Sequence, residues 1–162
     1  MNVGQAMPTQ GDVAYYDVLP VKHSLIIDVH QHYDPETKGF LDKLLASMET
    51  AGIRVVCLFT SRPDYGEREA ADWRRVFRDY SERIVGFGTF NPGRHSVEVV
   101  DEYYSRGFKG LKAIRPTKPY SSDEFLPYYE RAESLGMPIL FHTGVIARKT
   151  MGAPEDVSSE YM

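Results

Sequence analysis

Five short apolar runs recur along the chain at regular intervals, and this repetition constrains the fold more than any other feature. The runs are rich in β-branched residues and start about 24 to 30 residues apart, the length of a strand followed by a crossover helix. Each run therefore predicts a β-strand, and each intervening segment predicts a helix. The runs are SLIIDVH from Ser24, IRVVCLFT from Ile53, RIVGFGTF from Arg83, FKGLKAI from Phe108 and MPILFHT from Met137.

The segments between the runs carry helical signals. FLDKLLASMETAG places Phe40 and Met48 on one helical face and ends at Gly52, a residue suited to a helix C-terminus. SSDEFLPYYERAESLG has Ser121 and Glu124 at the spacing of a capping box, which predicts the start of a helix.

Apolar strands that alternate with helices predict an α/β fold in which helices cover a parallel sheet. Two architectures satisfy this pattern, an open doubly wound sheet and a (β/α)8 barrel of the TIM type. The length of 162 residues favours the open sheet, because a closed barrel needs eight strands and typically about 250 residues. Polar residues at the strand ends favour the barrel, and the first strand is not followed by a glycine-rich phosphate loop.

Composition excludes several classes of function. The chain has 19 basic and 23 acidic residues, a net charge of -4 and no basic stripe, so a nucleic-acid partner is not predicted. Its single cysteine, Cys57, lies in an apolar run and cannot form an internal disulfide. The sequence has neither a long apolar span nor the pattern of a signal peptide. We expect a cytoplasmic protein without a membrane partner, in which residues 1–23 form a flexible leader.

Histidines stand at the ends of two predicted strands. In IIDVHQHYDP, the period of two places Asp28, His30 and His32 on the same side of the first strand. His142 ends the fifth strand, so three imidazoles could face one metal ion at the carboxyl edge of the sheet. The alternative is that these are ordinary structural or surface histidines. His23 and His95 fit a metal site poorly, because they lie before the first strand and in a polar turn.

Three segments, DVHQHYDP, GFKGLKAIRP and LPYYERAESLGMPILFHTG, resemble the amidohydrolase superfamily in order and spacing. The resemblance is to the branch that contains aminocarboxymuconate semialdehyde decarboxylase, γ-resorcylate decarboxylase and lactone hydrolases. It implies a (β/α)8 barrel and one divalent metal ion, Zn²⁺ or alternatively Mn²⁺. His30, His32 and His142 would be its ligands, since the first and fifth strands face each other across such a barrel.

Charged residues near the same edge are candidates for binding a substrate. Lys112, in the fourth strand, would hold a substrate carboxylate, and Arg115 would grip an anion through its guanidinium fork. The alternative for Lys112 is a solvated lysine at a strand end, and a carboxylated lysine is a third reading. Asp28 would orient a metal ligand or the adjoining loop.

The chain contains five of the eight βα units, which predicts an incomplete barrel. We expect residues 24–148 to form this partial domain and residues 149–162 to form a loop or tail, so the ligand that the family takes from the eighth strand is absent. Ending at the fifth strand would expose a sheet edge. A second copy of the chain is one candidate to cover that edge.

Two functions follow from these features. The first is a metal-dependent hydrolase or decarboxylase that acts on a small organic acid, lactone or amide, with a general acid or base that the sequence does not identify. The second is a non-catalytic partial barrel that serves as a scaffold or assembly subunit.

Overall fold

A computed structural model describes residues 25–143 of the chain. Five parallel strands form one sheet in the order of the sequence, β1-β2-β3-β4-β5. Each strand hydrogen-bonds to the next one along the chain, with irregular register between β1 and β2 around Asp28. The strands are β1 (Ile26–His32), β2 (Ile53–Phe59), β3 (Ile84–Phe90), β4 (Gly110–Ala113) and β5 (Ile139–Phe141).

A helical segment connects each pair of consecutive strands. The α-helices are α1 (Phe40–Ala51), α2 (Glu67–Asp79), α3 (Glu98–Ser105) and α4 (Leu126–Ser134), and a single 3₁₀ turn (Asp123–Phe125) precedes α4.

The strand order decides between the two architectures that the sequence left open. A doubly wound sheet reverses its strand order at a switch point, whereas a TIM-type barrel adds each strand beside the previous one. The observed order has no reversal. The five βα units form a curled half-barrel, and the prediction of a partial TIM-type fold is confirmed.

The predicted glycine at the C-terminus of α1 is observed, whereas the predicted side-chain cap before α4 is not. Gly52 ends α1 at a φ of 69°, and its N–H donates to the carbonyl oxygens of Met48 and Glu49, as the sequence predicted. The capping box at Ser121 and Glu124 was wrong, since no side chain caps the 3₁₀ turn or α4. Glu124 instead forms an ion pair with Lys118, because the 3₁₀ turn displaces the helix start to Leu126.

The main core lies between the sheet and its helices. Trp73 of α2 and Tyr103 of α3 are each 2% exposed, and both rings contact Phe108 at centroid distances of 4.8 and 5.0 Å. The helices approach the sheet closely at Gly88 of β3, where a β-carbon would lie 2.2 Å from the Tyr103 ring. The absence of a side chain at residue 88 therefore permits α3 to pack on the sheet.

The face of the sheet opposite the helices also carries aromatic side chains. Phe59 and Phe87 contact each other there, with ring centroids 5.7 Å apart. Gly110 of β4 lies beside them, because a β-carbon at this position would come within 2.3 Å of the Phe87 ring. This face is the concave side of the half-barrel.

Both outer strands of the sheet within residues 25–143 expose apolar side chains. Ile27 and Val29 of β1 are 46% and 59% exposed, and Phe141 of β5 is 37% exposed. Cover by a second copy of the chain stays a prediction.

None of the helices within residues 25–143 is long and apolar enough to cross a membrane. The cytoplasmic location stays a prediction. The leader 1–23, the tail 149–162 and His23 lie outside the described residues, and the proposed division of the chain into segments is not tested.

We predict that Gly88→Ala destabilises the protein by about 2 kcal/mol, because the added methyl group overlaps the buried Tyr103 ring. The measurement is urea denaturation followed by circular dichroism. Gly66→Ala is the control, since nothing lies within 4 Å of a β-carbon there, and it should change the free energy of unfolding by less than about 0.5 kcal/mol. Equal effects of the two substitutions would contradict this account of the packing.

Candidate functional site

Two histidines of β1 come together at the carboxyl edge of the sheet. The Nε2 atoms of His30 and His32 are 3.2 Å apart, within hydrogen-bond distance. One imidazole must therefore donate a proton to the other, with the roles set by their tautomers. The spacing of two along a strand brings them to the same side, as the sequence predicted.

Phe59 is the common contact of the polar side chains at this edge. Its ring lies 5.1 Å from the imidazole of His30 and 5.1 Å from that of His32, centroid to centroid. The ammonium nitrogen of Lys112 lies 5.2 Å from the centre of the same ring. Lys112 belongs to β4, so residues far apart in sequence converge on one buried aromatic side chain, which is 0% exposed.

Lys112 is the most unusual residue of this group. It is 1% exposed, and its Nζ forms no hydrogen bond with any residue that the structure describes. Burial lowers the pKa of Lys112, because the charged form loses hydration. The face of Phe59 supplies only a weak attraction for a cation. The reading of Lys112 as a solvated lysine is therefore wrong.

The two imidazoles are shifted towards their neutral forms. The pKa of His30 is lowered by partial burial and next by the charge of Lys112. The pKa of His32 is lowered by partial burial, then by His30, Lys112 and His142. Near neutral pH the pair is thus uncharged and can accept a proton.

Asp28 contacts the backbone of the histidine segment. Its Oδ1 accepts a hydrogen bond of 2.9 Å from the backbone N–H of His30. Its charge also partly opposes the lowering of the His30 pKa. The contact is with the backbone of His30, so the predicted role of orienting a metal ligand or the adjoining loop stays a prediction.

His142 and Arg115 follow the last two strands. The His142 backbone N–H donates to the carbonyl of Ala113, and the Tyr120 hydroxyl donates to the carbonyl of His142. Arg115 is half-buried and has a φ of 50°, a left-handed conformation that is rare outside glycine. Non-glycine residues in this conformation cluster at binding sites and turns.

Sequence reasoning missed Phe59, which organises the site. The sequence did contain a signal. Phe59 lies two residues after Cys57 near the end of β2, as His32 lies two residues after His30 near the end of β1, and residues two apart share one face of a strand. His95, which the sequence did not favour as a metal ligand, lies in the turn after β3. Its Nδ1 accepts a hydrogen bond from the backbone N–H of Asn91, which places it in a turn.

The predicted metal centre with three histidine ligands stays a prediction. No group of three or more His, Cys, Asp or Glu side chains within residues 25–143 is arranged to hold a metal ion. His30 and His32 are close together, and the charge of His142 acts on both. Convergence of the first and fifth strands was expected from a closed barrel, and the observed half-barrel holds β1 and β5 at opposite ends of the sheet.

Comparisons with known proteins show only weak similarity. No family model matches the chain, and no curated protein matches it. A crystal structure from Coccidioides immitis, of a protein assigned as a deoxyribose-phosphate aldolase, matches with a TM-score of 0.40 and 20% identity. The match covers 68% of this chain and 43% of that protein. Such similarity is too low to transfer an activity.

These findings contradict the predicted membership of the amidohydrolase superfamily. Neither a family model nor a curated protein supports an amidohydrolase. The metal-dependent hydrolase or decarboxylase activity rested on that resemblance, and it was wrong as well. The chain still has a fold of the kind that enzymes use, because parallel βα units place polar side chains at one edge of the sheet.

We predict that Lys112→Met raises the pKa of both imidazoles, because it removes a positive charge that lowers each of them. Both values should stay below 6.5, since burial is the larger cause. NMR titration of the histidine ring protons measures the change. Lys109→Met, which removes an exposed lysine nearby, should leave both values unaltered.

The same shifts predict how stability depends on pH. Because the folded-state pKa values lie below the ordinary value of 6.5, the unfolded chain binds more protons as the pH falls through that value. The free energy of unfolding should therefore decrease below about pH 6.5. His30→Gln and His32→Gln together should flatten this dependence in urea denaturation, and an unchanged slope would contradict the assignment.

Proposed function

We propose that the carboxyl edge of the sheet is the substrate-binding wall of an enzyme that acts on a small organic anion. The observation that carries this proposal is the buried ammonium of Lys112, which has no hydrogen-bond partner in the described part of the chain. A buried cation is costly unless an anion compensates it. A ligand carboxylate would supply that compensation.

The surrounding side chains suit such a ligand. Phe59 offers an apolar surface beside the ammonium, and the imidazoles of His30 and His32 face the same ring. Arg115 follows β4, and the Nε and Nη2 atoms of its guanidinium are shielded from solvent. Shielding strengthens charge-assisted hydrogen bonds, so Lys112 and Arg115 would bind an anion more strongly than exposed residues would.

The histidine pair supplies the chemistry that the site can perform. A neutral imidazole near pH 7 accepts a proton from a bound molecule, and its neighbour can share that proton at a distance of 3.2 Å. The ammonium of Lys112 would favour negative charge that develops on the bound anion. We therefore assign proton acceptance to the pair and anion binding to Lys112.

Malonate is a suitable probe for the anion, and uncharged malonamide is its matched control. Isothermal titration calorimetry should detect binding of malonate and not of malonamide, because a carboxylate compensates the charge of the Lys112 ammonium. Lys112→Met should reduce the affinity more than tenfold, and Arg115→Lys should reduce it severalfold because the bidentate fork is lost. Lys109→Met should bind as the wild type does.

Lys112→Met should also stabilise the fold by about 1 kcal/mol, since it replaces a poorly compensated buried amine by an apolar chain of similar length. Thermal unfolding measures this difference. If Lys112→Met bound malonate as the wild type does, or if it lowered the stability of the fold, Lys112 would not be an anion-binding residue.

The predicted divalent cofactor stays a prediction. Two nitrogen ligands of a tetrahedral Zn²⁺ ion lie about 3.3 Å apart, so the spacing of 3.2 Å between His30 and His32 suits two ligand positions. The described residues do not supply a group of three ligands. The set is therefore incomplete, and no step of the proposed chemistry depends on an ion.

Titration with Zn²⁺ and a competing chelator tests whether His142 completes the set. A two-ligand pair should bind Zn²⁺ weakly, lose binding on His32→Ala and keep it on His142→Ala. A loss of affinity of more than about tenfold on His142→Ala would instead identify His142 as the third ligand.

A further inference from the structure

A cavity lies on the convex side of the half-barrel, between α2, the loop that precedes it and the end of α3. Its volume is about 470 Å³, within the range of small-molecule sites. We propose that this cavity binds an aromatic carboxylate. It is separate from the concave face that carries Lys112, and it is lined by Tyr65, Glu67, Trp73, Arg74, Phe77 and Arg106.

Aromatic side chains form the floor of the cavity. Trp73 and Phe77 lie one turn apart on α2, and their rings stack at a centroid distance of 5.6 Å and an angle of 26°. Trp73 is 2% exposed, which fixes the position of its ring. Tyr65 closes the side formed by the preceding loop. A flat ring would therefore stack on the partly exposed rings of Tyr65 and Phe77, next to the buried indole of Trp73.

Two arginines at the rim give the cavity its selectivity for an anion. The Arg74 side chain is 63% exposed and pairs with Glu67, which is 82% exposed. Exposed ion pairs of this kind contribute little, so a ligand carboxylate could replace Glu67 at small cost. Arg106 interacts with the hydroxyl of Tyr65, lies 3.8 Å from Glu102 and has a side chain that is 54% exposed. Two cations and one anion line the cavity, in a chain whose net charge is -4.

This charge balance selects the ligand. A guanidinium group binds a carboxylate through two parallel hydrogen bonds and also stacks on aromatic rings. A neutral aromatic compound would use the floor alone, and a small inorganic anion would use the rim alone. An aromatic carboxylate satisfies both parts of the cavity.

Intrinsic fluorescence provides a local test, because Trp73 is the single tryptophan of the chain. The probe is 4-iodobenzoate, whose iodine quenches an indole that it contacts, and 4-iodobenzyl alcohol is its uncharged control. We expect saturable quenching by the carboxylate and at least tenfold weaker binding of the alcohol. Absence of saturable quenching up to about 10 mM, or equal affinity for the two probes, would overturn the proposal.

Variants separate this cavity from the concave site. Arg74→Gln and Arg106→Gln should each weaken the affinity for the carboxylate several-fold or more. Arg78→Gln is the matched control, since it changes an exposed arginine of α2 that does not line the cavity. Lys112→Met should also leave the quenching intact. If Lys112→Met abolished the quenching, or if Arg74→Gln and Arg106→Gln behaved like Arg78→Gln, the cavity would not be the binding site.

Discussion

Parallel pairing of the strands in sequence order is the constraint on which the rest of the structure depends. Each βα unit adds its strand beside the previous one, so all carboxyl ends lie at one edge of the sheet. This arrangement brings side chains of β1, β2 and β4 into contact although Lys112 is far from the histidines in sequence. The site is therefore a consequence of topology before it is a consequence of any motif.

The two faces of the sheet serve different purposes. The convex face packs on the helices through large aromatic side chains, and Gly88 permits the closest approach. The concave face buries Phe59 beside a lysine and two histidines. A buried ammonium opposes stability, and an arrangement that keeps it is typical of binding and catalytic sites. The stable convex packing allows the concave face to carry this unfavourable group.

The failure of the family prediction has a physical explanation. Histidines separated by one residue, a lysine in a strand and a histidine after another strand are all features that parallel βα units can carry without sharing a metal ion. A metal centre requires three or more ligands to converge within a few ångströms. Sequence spacing predicts the face on which a residue lies, but convergence depends on the curvature of the sheet and on which strands are neighbours. In this half-barrel β1 and β5 are the two outer strands.

The sequence by itself determined the number, order and type of the elements, because the periods of two and 3.6 and the glycines at helix ends act over a few residues. It also determined that His30 and His32 share one side of β1. Only the tertiary structure decided that Phe59 contacts both the histidines and Lys112, and that the Lys112 ammonium is buried. These outcomes depend on contacts between distant segments, whose geometry local patterns do not specify.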